Sequence, residues 1–223
     1  MTQSTAPTLY QGQFGEYTIT QGDRRGVVIY RISLGIAALS FALGTGLALW
    51  QSQNPGVLSA LTGLYGIFCL ALGVSLLTIH IYMAFLHRLL QLFWVIGVVA
   101  AGAIALLSPT PLVLTIYHQP LTLLGVGFTF AALTGIFFKE AVCFNRLETK
   151  FLTPMIPLLL LGHWSGLLSL GVEQKLLGLW AGLFVIFALR KAFQDIPADI
   201  GDKSVFAYLR DRRTTGTVPV SDS

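Results

Sequence analysis

Charge is what this chain has least of. Asp, Glu, Lys and Arg make up 11% of its 223 residues, whereas a soluble domain carries roughly 25%. That deficit excludes a water-facing surface of ordinary size. Cysteine is scarce too. Cys69 and Cys143 are the two present, one expected in mid-membrane and one in a loop near a face, so a disulfide is not expected and both thiols should be reduced. The first 26 residues hold no apolar run that would open a cleavable secretory signal, and with Glu16 and Asp23 they do not read as a plastid transit peptide. No basic run is interleaved with aromatics, which argues against nucleic acid as a partner. No glycine-rich phosphate cradle, H-E-x-x-H or paired C-x-x-C is present either.

What is there is grease in long blocks. Apolar residues are 54% of the chain, and the mean hydropathy is +0.73. The natural solvent is lipid, and the expected fold class is all-α: a polytopic bundle of six transmembrane helices. Expected spans are 27–50, 57–79, 89–107, 121–138, 151–170 and 176–193, each near the ~20 residues needed to cross a ~30 Å hydrocarbon core. A soluble head (1–26), a membrane domain (27–193) and a cytoplasmic tail (194–223) follow. In the head, residues 10–20 alternate aromatic or β-branched residues with polar ones, which predicts a short extended segment or hairpin. Residues 108–120 hold three prolines and no charge, and are read as an interfacial segment rather than the start of a kinked fourth span. In the tail, Asp202 or Ser204 is placed to cap a short helix with Val205, Phe206 and Leu209 on one side. The last ten residues are expected to be disordered.

Six crossings put both tails on one side with the second and fourth loops. Thirteen of the fourteen Lys and Arg residues then lie on that side, and Lys175 alone lies opposite. The positive-inside rule places both termini in the cytoplasm.

Chemistry concentrates between Phe137 and Trp164. A charged turn holding Lys139, Glu140, Cys143, Asn145, Arg146, Glu148 and Lys150 separates two apolar segments, and local pairs among Glu140, Arg146 and Glu148 would close it. His163 follows twelve residues after Phe151, about 18 Å along a helix. That is near the bilayer middle, where an ionisable group is by default a functional candidate; a neutral imidazole bonded to a neighbouring helix is the plainer alternative. Around it, Gly162 to Gly166 has the small-xxx-small spacing, repeated at Gly178 to Gly182, which predicts close packing of the last two spans. Ser165 does not fit a serine nucleophile, because His163 stands where the glycine two residues before it should be. His80 and His87, seven apart, share a helix face and lie on the side of Glu140 and Cys143; imidazole, carboxylate and thiolate together are a candidate metal shell or pigment ligand without a known ligand spacing. The candidate binding residues are therefore His163, Glu140, Arg146, Cys143, Asn145, His80 and His87, with no catalytic residue and no cofactor assigned.

Several stretches resemble a known family. The head Tyr10-Gln-Gly-Gln-Phe-Gly-Glu-Tyr17 with Asp23-Arg24, then Gly26-Val27 to Tyr30-Arg31, and the turn Phe138 to Arg146 are similar to a cyanobacterial and plastid family of multi-span integral membrane proteins of unknown function. The resemblance implies a photosynthetic host and a plasma or thylakoid membrane, and no activity. The polar features on one face lead to an expected role as an accessory, assembly or scaffold protein docking a membrane-protein complex. A small-solute or ion transporter or channel, and a membrane metalloenzyme using His80, His87 and Glu140, are the alternatives.

Overall fold

A computed structural model describes residues 8–51, 54–81 and 83–215. The chain opens with an antiparallel hairpin of β1 (Leu9–Gly12) and β2 (Gly15–Thr18), in which Tyr10 faces Tyr17 and Gly12 faces Gly15. The two tyrosine rings stack at 5.6 Å, and Gly15 supplies the positive φ that its turn requires. The alternation read in residues 10–20 therefore forms the expected hairpin.

Helix α1 (Gln21–Trp50) starts on a capping box. Thr20 Oγ1 accepts from the Asp23 N–H at 3.2 Å while Asp23 accepts from the Thr20 N–H at 2.7 Å. Next come α2 (Pro55–Thr78), with Asn54 as its cap and Pro55 at its first position, and α3 (Ala84–Leu107). A short helix α4 (Leu112–His118) and a 3-10 turn (Pro120–Thr122) lead into α5 (Leu123–Phe144). Helices α6 (Leu147–Trp164) and α7 (Leu170–Ala192) complete the bundle, and α8 (Ile196–Ile200) and α9 (Ser204–Thr215) form the tail. Residues 112–118 are thus a helix of their own, not the first turns of α5. Leu112 is buried with Ala101 and Val126.

Among the described residues, five helices are long and apolar enough to cross a membrane: α1, α2, α3, α7 and the continuous stretch Pro120–Phe144. The expected fifth span, α6, is shorter at 18 residues and carries Pro154 and Pro157 within it. In the bundle α1 packs on α2 and α7, α3 on α5, and α6 between α5 and α7. The centre is aromatic. Phe41 meets Trp180 edge-on at 3.9 Å, and Phe68, Phe130, Phe137, Phe184 and Phe187 pack around them. Such ring pairs contribute about 0.5–1.5 kcal/mol each beyond the area they bury.

Three expectations need correction. Helix α5 continues past Phe138 to Phe144, so Lys139, Glu140 and Cys143 are helical and the turn shrinks to Asn145 and Arg146. The fifth helix ends at Trp164 rather than Leu170, which moves His163 from mid-helix to the last turn. The cause is a Schellman stop: Gly166 has φ +68°, Leu167 N–H donates to Gly162 C=O at 3.0 Å, and Gly166 N–H donates to His163 C=O at 3.1 Å. Gly162 and Gly166 therefore terminate a helix, and Leu168 packs over Gly162. Nor does the second glycine pair join α6 to α7: Gly178 faces Leu49 of α1, and Gly182 faces open space. The close approach is between α3 and α5, where a Cβ on Gly97 would strike the backbone of Thr129. Of the last ten residues, Thr214 and Thr215 are helical, and 216–223 lie outside the described residues.

Candidate functional site

The hairpin and the segment from Asp202 to Tyr208 meet at one end of the bundle. Gln13 N–H donates to Asp202 Oδ2 at 2.6 Å, Phe14 N–H donates to Ser204 Oγ at 3.0 Å, and the Phe14 and Tyr208 rings stack at 4.1 Å. Lys203 reaches the Thr18 carbonyl at 3.2 Å and Asp23 at 2.7 Å. These contacts make a cap of the hairpin, the loop after α8 and α9. The Gln13 N–H, then Ser204, holds the Asp202 carboxyl below the usual carboxylate range.

Beneath the cap lies a network of charges among apolar helices. Its centre is Lys191, fully buried in the last turn of α7. The Lys191 ammonium donates to Glu140 Oε2 at 2.7 Å, to Asp199 Oδ1, and to Gln194 Oε1 at 3.3 Å. It lies over the Phe144 ring at 4.3 Å. Glu140, itself fully buried, also takes Lys139 at 2.9 Å. Asp199 takes Arg31, whose Nε donates at 2.8 Å and whose Nη2 also reaches the Asp195 carbonyl at 3.1 Å. Gln194 relays to a second group: Arg146 Nη2 donates to it at 2.6 Å, and Glu148 receives Arg190 at 2.7 Å and Arg146 at 3.5 Å. Five elements (α1, α5, α6, α7 and α8) are tied through these side chains. The Tyr30 ring is buried here under the Lys191 ammonium at 5.7 Å, and Gln194 Nε2 is buried with no hydrogen-bond partner among the described residues.

Local structure explains the convergence. Lys191 continues the buried stripe Trp180, Phe184, Phe187 and Ala188 of α7, and Glu140 continues the stripe Leu133, Ile136 and Phe137 of α5. Asn145 takes the left-handed conformation (φ 50°, ψ 38°) that lets α5 end and α6 turn back beside it. That corner carries Arg146 to the end of α7. Chemically, the buried cations and carboxylates share one another, and the network ties the helices together.

The predicted site residues divide accordingly. Glu140 reaches Lys191 and Arg146 reaches Gln194, Asn145 forms the corner between α5 and α6, and Cys143 is exposed on α5. His87 is spent on the Leu76 carbonyl and Gln91. His80 lies half-buried near Gly26, and burial pushes its ring below the ordinary histidine range. Among the described residues no three His, Cys, Asp or Glu side chains are grouped to hold a metal, so the expected shell of His80, His87, Glu140 and Cys143 is not assembled.

His163 lies at the opposite end of the bundle. Its Nδ1 is 2.9 Å from Glu173 Oε1, its Nε2 is 3.2 Å from the Tyr117 carbonyl, and the Tyr117 ring is 5.0 Å away. The imidazole thus pins α4 to the α6–α7 turn. Ser165 Oγ donates back to the Leu161 carbonyl at 2.7 Å, as a helix-end serine does. Lys191, Asp199, Arg31 and Gln194 were missed as site residues because Arg31 and Lys191 were counted only among the cations that set orientation, and Gln194 and Asp199 fell in the tail after the last span. The detectable signal was helical phase, which puts Lys191 on the buried side of α7.

No curated protein and no solved structure matches this chain. One family does, over residues 74–208, a stretch that includes Glu140, Arg146, His163, Lys191 and Asp199 but neither the hairpin nor Arg31. With that match over more than half its length, the chain belongs to the family described as Uncharacterized integral membrane protein (DUF2301).

Proposed function

We propose that the protein is a membrane-embedded accessory, assembly or scaffold protein that docks a membrane complex through the cap built from its two chain ends. The observation that carries this reading is the cap itself. Polar backbone and side chains from residues 9–18 and 202–208 are already bonded to one another before any partner arrives. A preformed surface loses little ordering entropy on binding. The buried charges below it are matched within the chain, which favours a rigid mount over a solute path.

The same contacts support six crossings with both termini on one side. Five helices satisfy length and apolarity, yet five crossings would leave the hairpin and α9 on opposite faces. With α6 as the sixth, the ends meet as they do in the cap. The cation distribution favours the cytoplasm for that side, and the resemblance of the head and the α5–α6 turn favours a photosynthetic host with a plasma or thylakoid location.

Two measurements test the reading. Single cysteines at Thr8 and at Lys175, in a chain freed of Cys69 and Cys143, are treated in intact cells with a membrane-impermeant maleimide. Labelling at 175 with protection at 8 is expected; equal labelling of both would sink the topology. Crosslinking of the tagged chain in its native membrane should then yield a heteromeric species that the cap variant Phe14→Ala loses. Recovery of a lone monomer from both would sink the docking role.

A further inference from the structure

We infer that the groove between α1 and α7 is a binding site for one acyl chain of an anionic phospholipid, with Arg24 and Arg31 receiving its phosphate. The groove is a cavity of about 470 Å³, open along one side. Small residues form its floor: Gly35 and Ala38 from α1, Ala188 and Ala192 from α7. Val28 and Leu189 are among its walls, and Ile196 of α8 lines it beyond the end of α7. Arg31 is the one charged residue in its lining.

Three observations commit the occupant to an anionic amphiphile. First, residues 24, 28, 31, 32, 35 and 39 fall on one stripe of α1 at 100° per residue, so the sequence of surfaces along it is cation, apolar, cation, then apolar to the end. Arg24 stands two turns before Arg31, on the side where the chain leaves the bundle. Long apolar contact capped by cations is the complement of an acyl chain capped by a phosphate. Second, Arg31 is aimed but not used up. Its Nε and Nη2 are held by Asp199 and the Asp195 carbonyl, which fixes the guanidinium, while Nη1 makes no hydrogen bond among the described residues. Third, the ion-paired side chains beside the groove are in cationic excess. Arg31, Lys139 and Lys191 share two carboxylates, Glu140 and Asp199, and Arg146 and Arg190 share Glu148. An anion at the groove mouth meets that excess, whereas a zwitterionic headgroup brings its own cation to it.

Gly35 makes the site testable, because a Cβ there meets nothing within 4 Å. Gly35→Leu puts a branched side chain into the groove from a position where its Cβ meets no protein atom, and improves helix propensity. Gly182 likewise faces open space and lies outside the groove lining, so Gly182→Leu is the matched control. The full-length chain is purified in mild detergent, incubated with dioleoyl-phosphatidylglycerol or dioleoyl-phosphatidylcholine, and read by native mass spectrometry, with its melting temperature followed in parallel. The wild type and Gly182→Leu should retain one phosphatidylglycerol in preference to phosphatidylcholine. Gly35→Leu should lose it, and Arg24→Gln should hold it about fivefold more weakly, the effect of one cation near a phosphate surface. Equal retention of both lipids, or retention by Gly35→Leu at the wild-type level, overturns the proposal. So does a wild-type dimer that Gly35→Leu converts to monomer, since the groove would then hold a second copy.

Discussion

The two ends of this bundle solve opposite problems. In the network beneath the cap, five cations and three carboxylates pack against one another, and Lys191 and Glu140 have no exposed surface. At the far end, His163 and Glu173 form the one ion pair there among the described residues, with side chains 20% and 14% exposed. Burying a charge costs several kcal/mol after relaxation, recovered only with good geometry and full hydrogen bonding. The crowded end therefore cannot slide or open without stranding a charge, while the sparse end holds its turn by one pair near solvent. Rigidity is invested where the cap sits.

The strongest way to break the contrast is at Lys191. Lys191→Met keeps the length of the side chain and leaves Glu140 and Asp199 facing each other under the cap. Removing one partner of a buried pair costs about 3–5 kcal/mol, and the purified protein should melt correspondingly earlier. Adding Glu140→Leu should recover much of that loss, because Asp199 keeps Arg31. A single variant that melts with the wild type would show the network to be ornamental.

The cap comes second. Asp202→Ala removes the acceptor for the Gln13 N–H, and amide exchange in residues 9–18 should rise on the order of fivefold, the equivalent of one net hydrogen bond. Acid should do the same work. The Asp202 carboxyl is held below its unfolded range, so its contribution is complete above about pH 4 and is lost as pH falls through the folded value. Exchange at pH 7 and pH 5 should match once corrected for intrinsic rate, and the hairpin should loosen below about pH 4. Loosening already at pH 5 would mean that another group holds the cap.

Much of the crowded end was legible and the far end was not, for physical reasons. A period-2 head is a one-dimensional signal, and the hairpin follows from it. Glu140 and Arg146 stood out as charges beside an apolar run. Their partners did not, because Lys191 and Asp199 lie 51 and 59 positions beyond Glu140, and pairing at that distance is set by how α7 packs on α5. His163 was misplaced by an error of boundary. Glycines four apart look the same in sequence whether they join two helices or end one, and the stop at Gly166 became visible through its φ and its two hydrogen bonds.

At the far end, Glu173→Gln keeps a side chain that can bond His163 Nδ1 but removes its charge. Only a partly exposed pair is weakened, so about 1 kcal/mol or less is at stake. Melting should shift by a small fraction of the Lys191→Met effect. A loss as large as that variant's would mean that the two ends are equally locked.

The smallest effect sharpens the comparison inside the crowded end itself. Arg146 and Arg190 share Glu148, yet their side chains are 10% and 58% exposed. Arg190 is a surface arm, worth about 0–1 kcal/mol and screened by salt, so Arg190→Ala should be nearly silent at 0.15 M salt. Arg146 also donates to Gln194, the link to Lys191, so Arg146→Ala should cost more and resist screening. Equal, salt-sensitive losses from both would place Glu148 outside the locked network and confine the lock to Lys191, Glu140, Asp199 and Arg31.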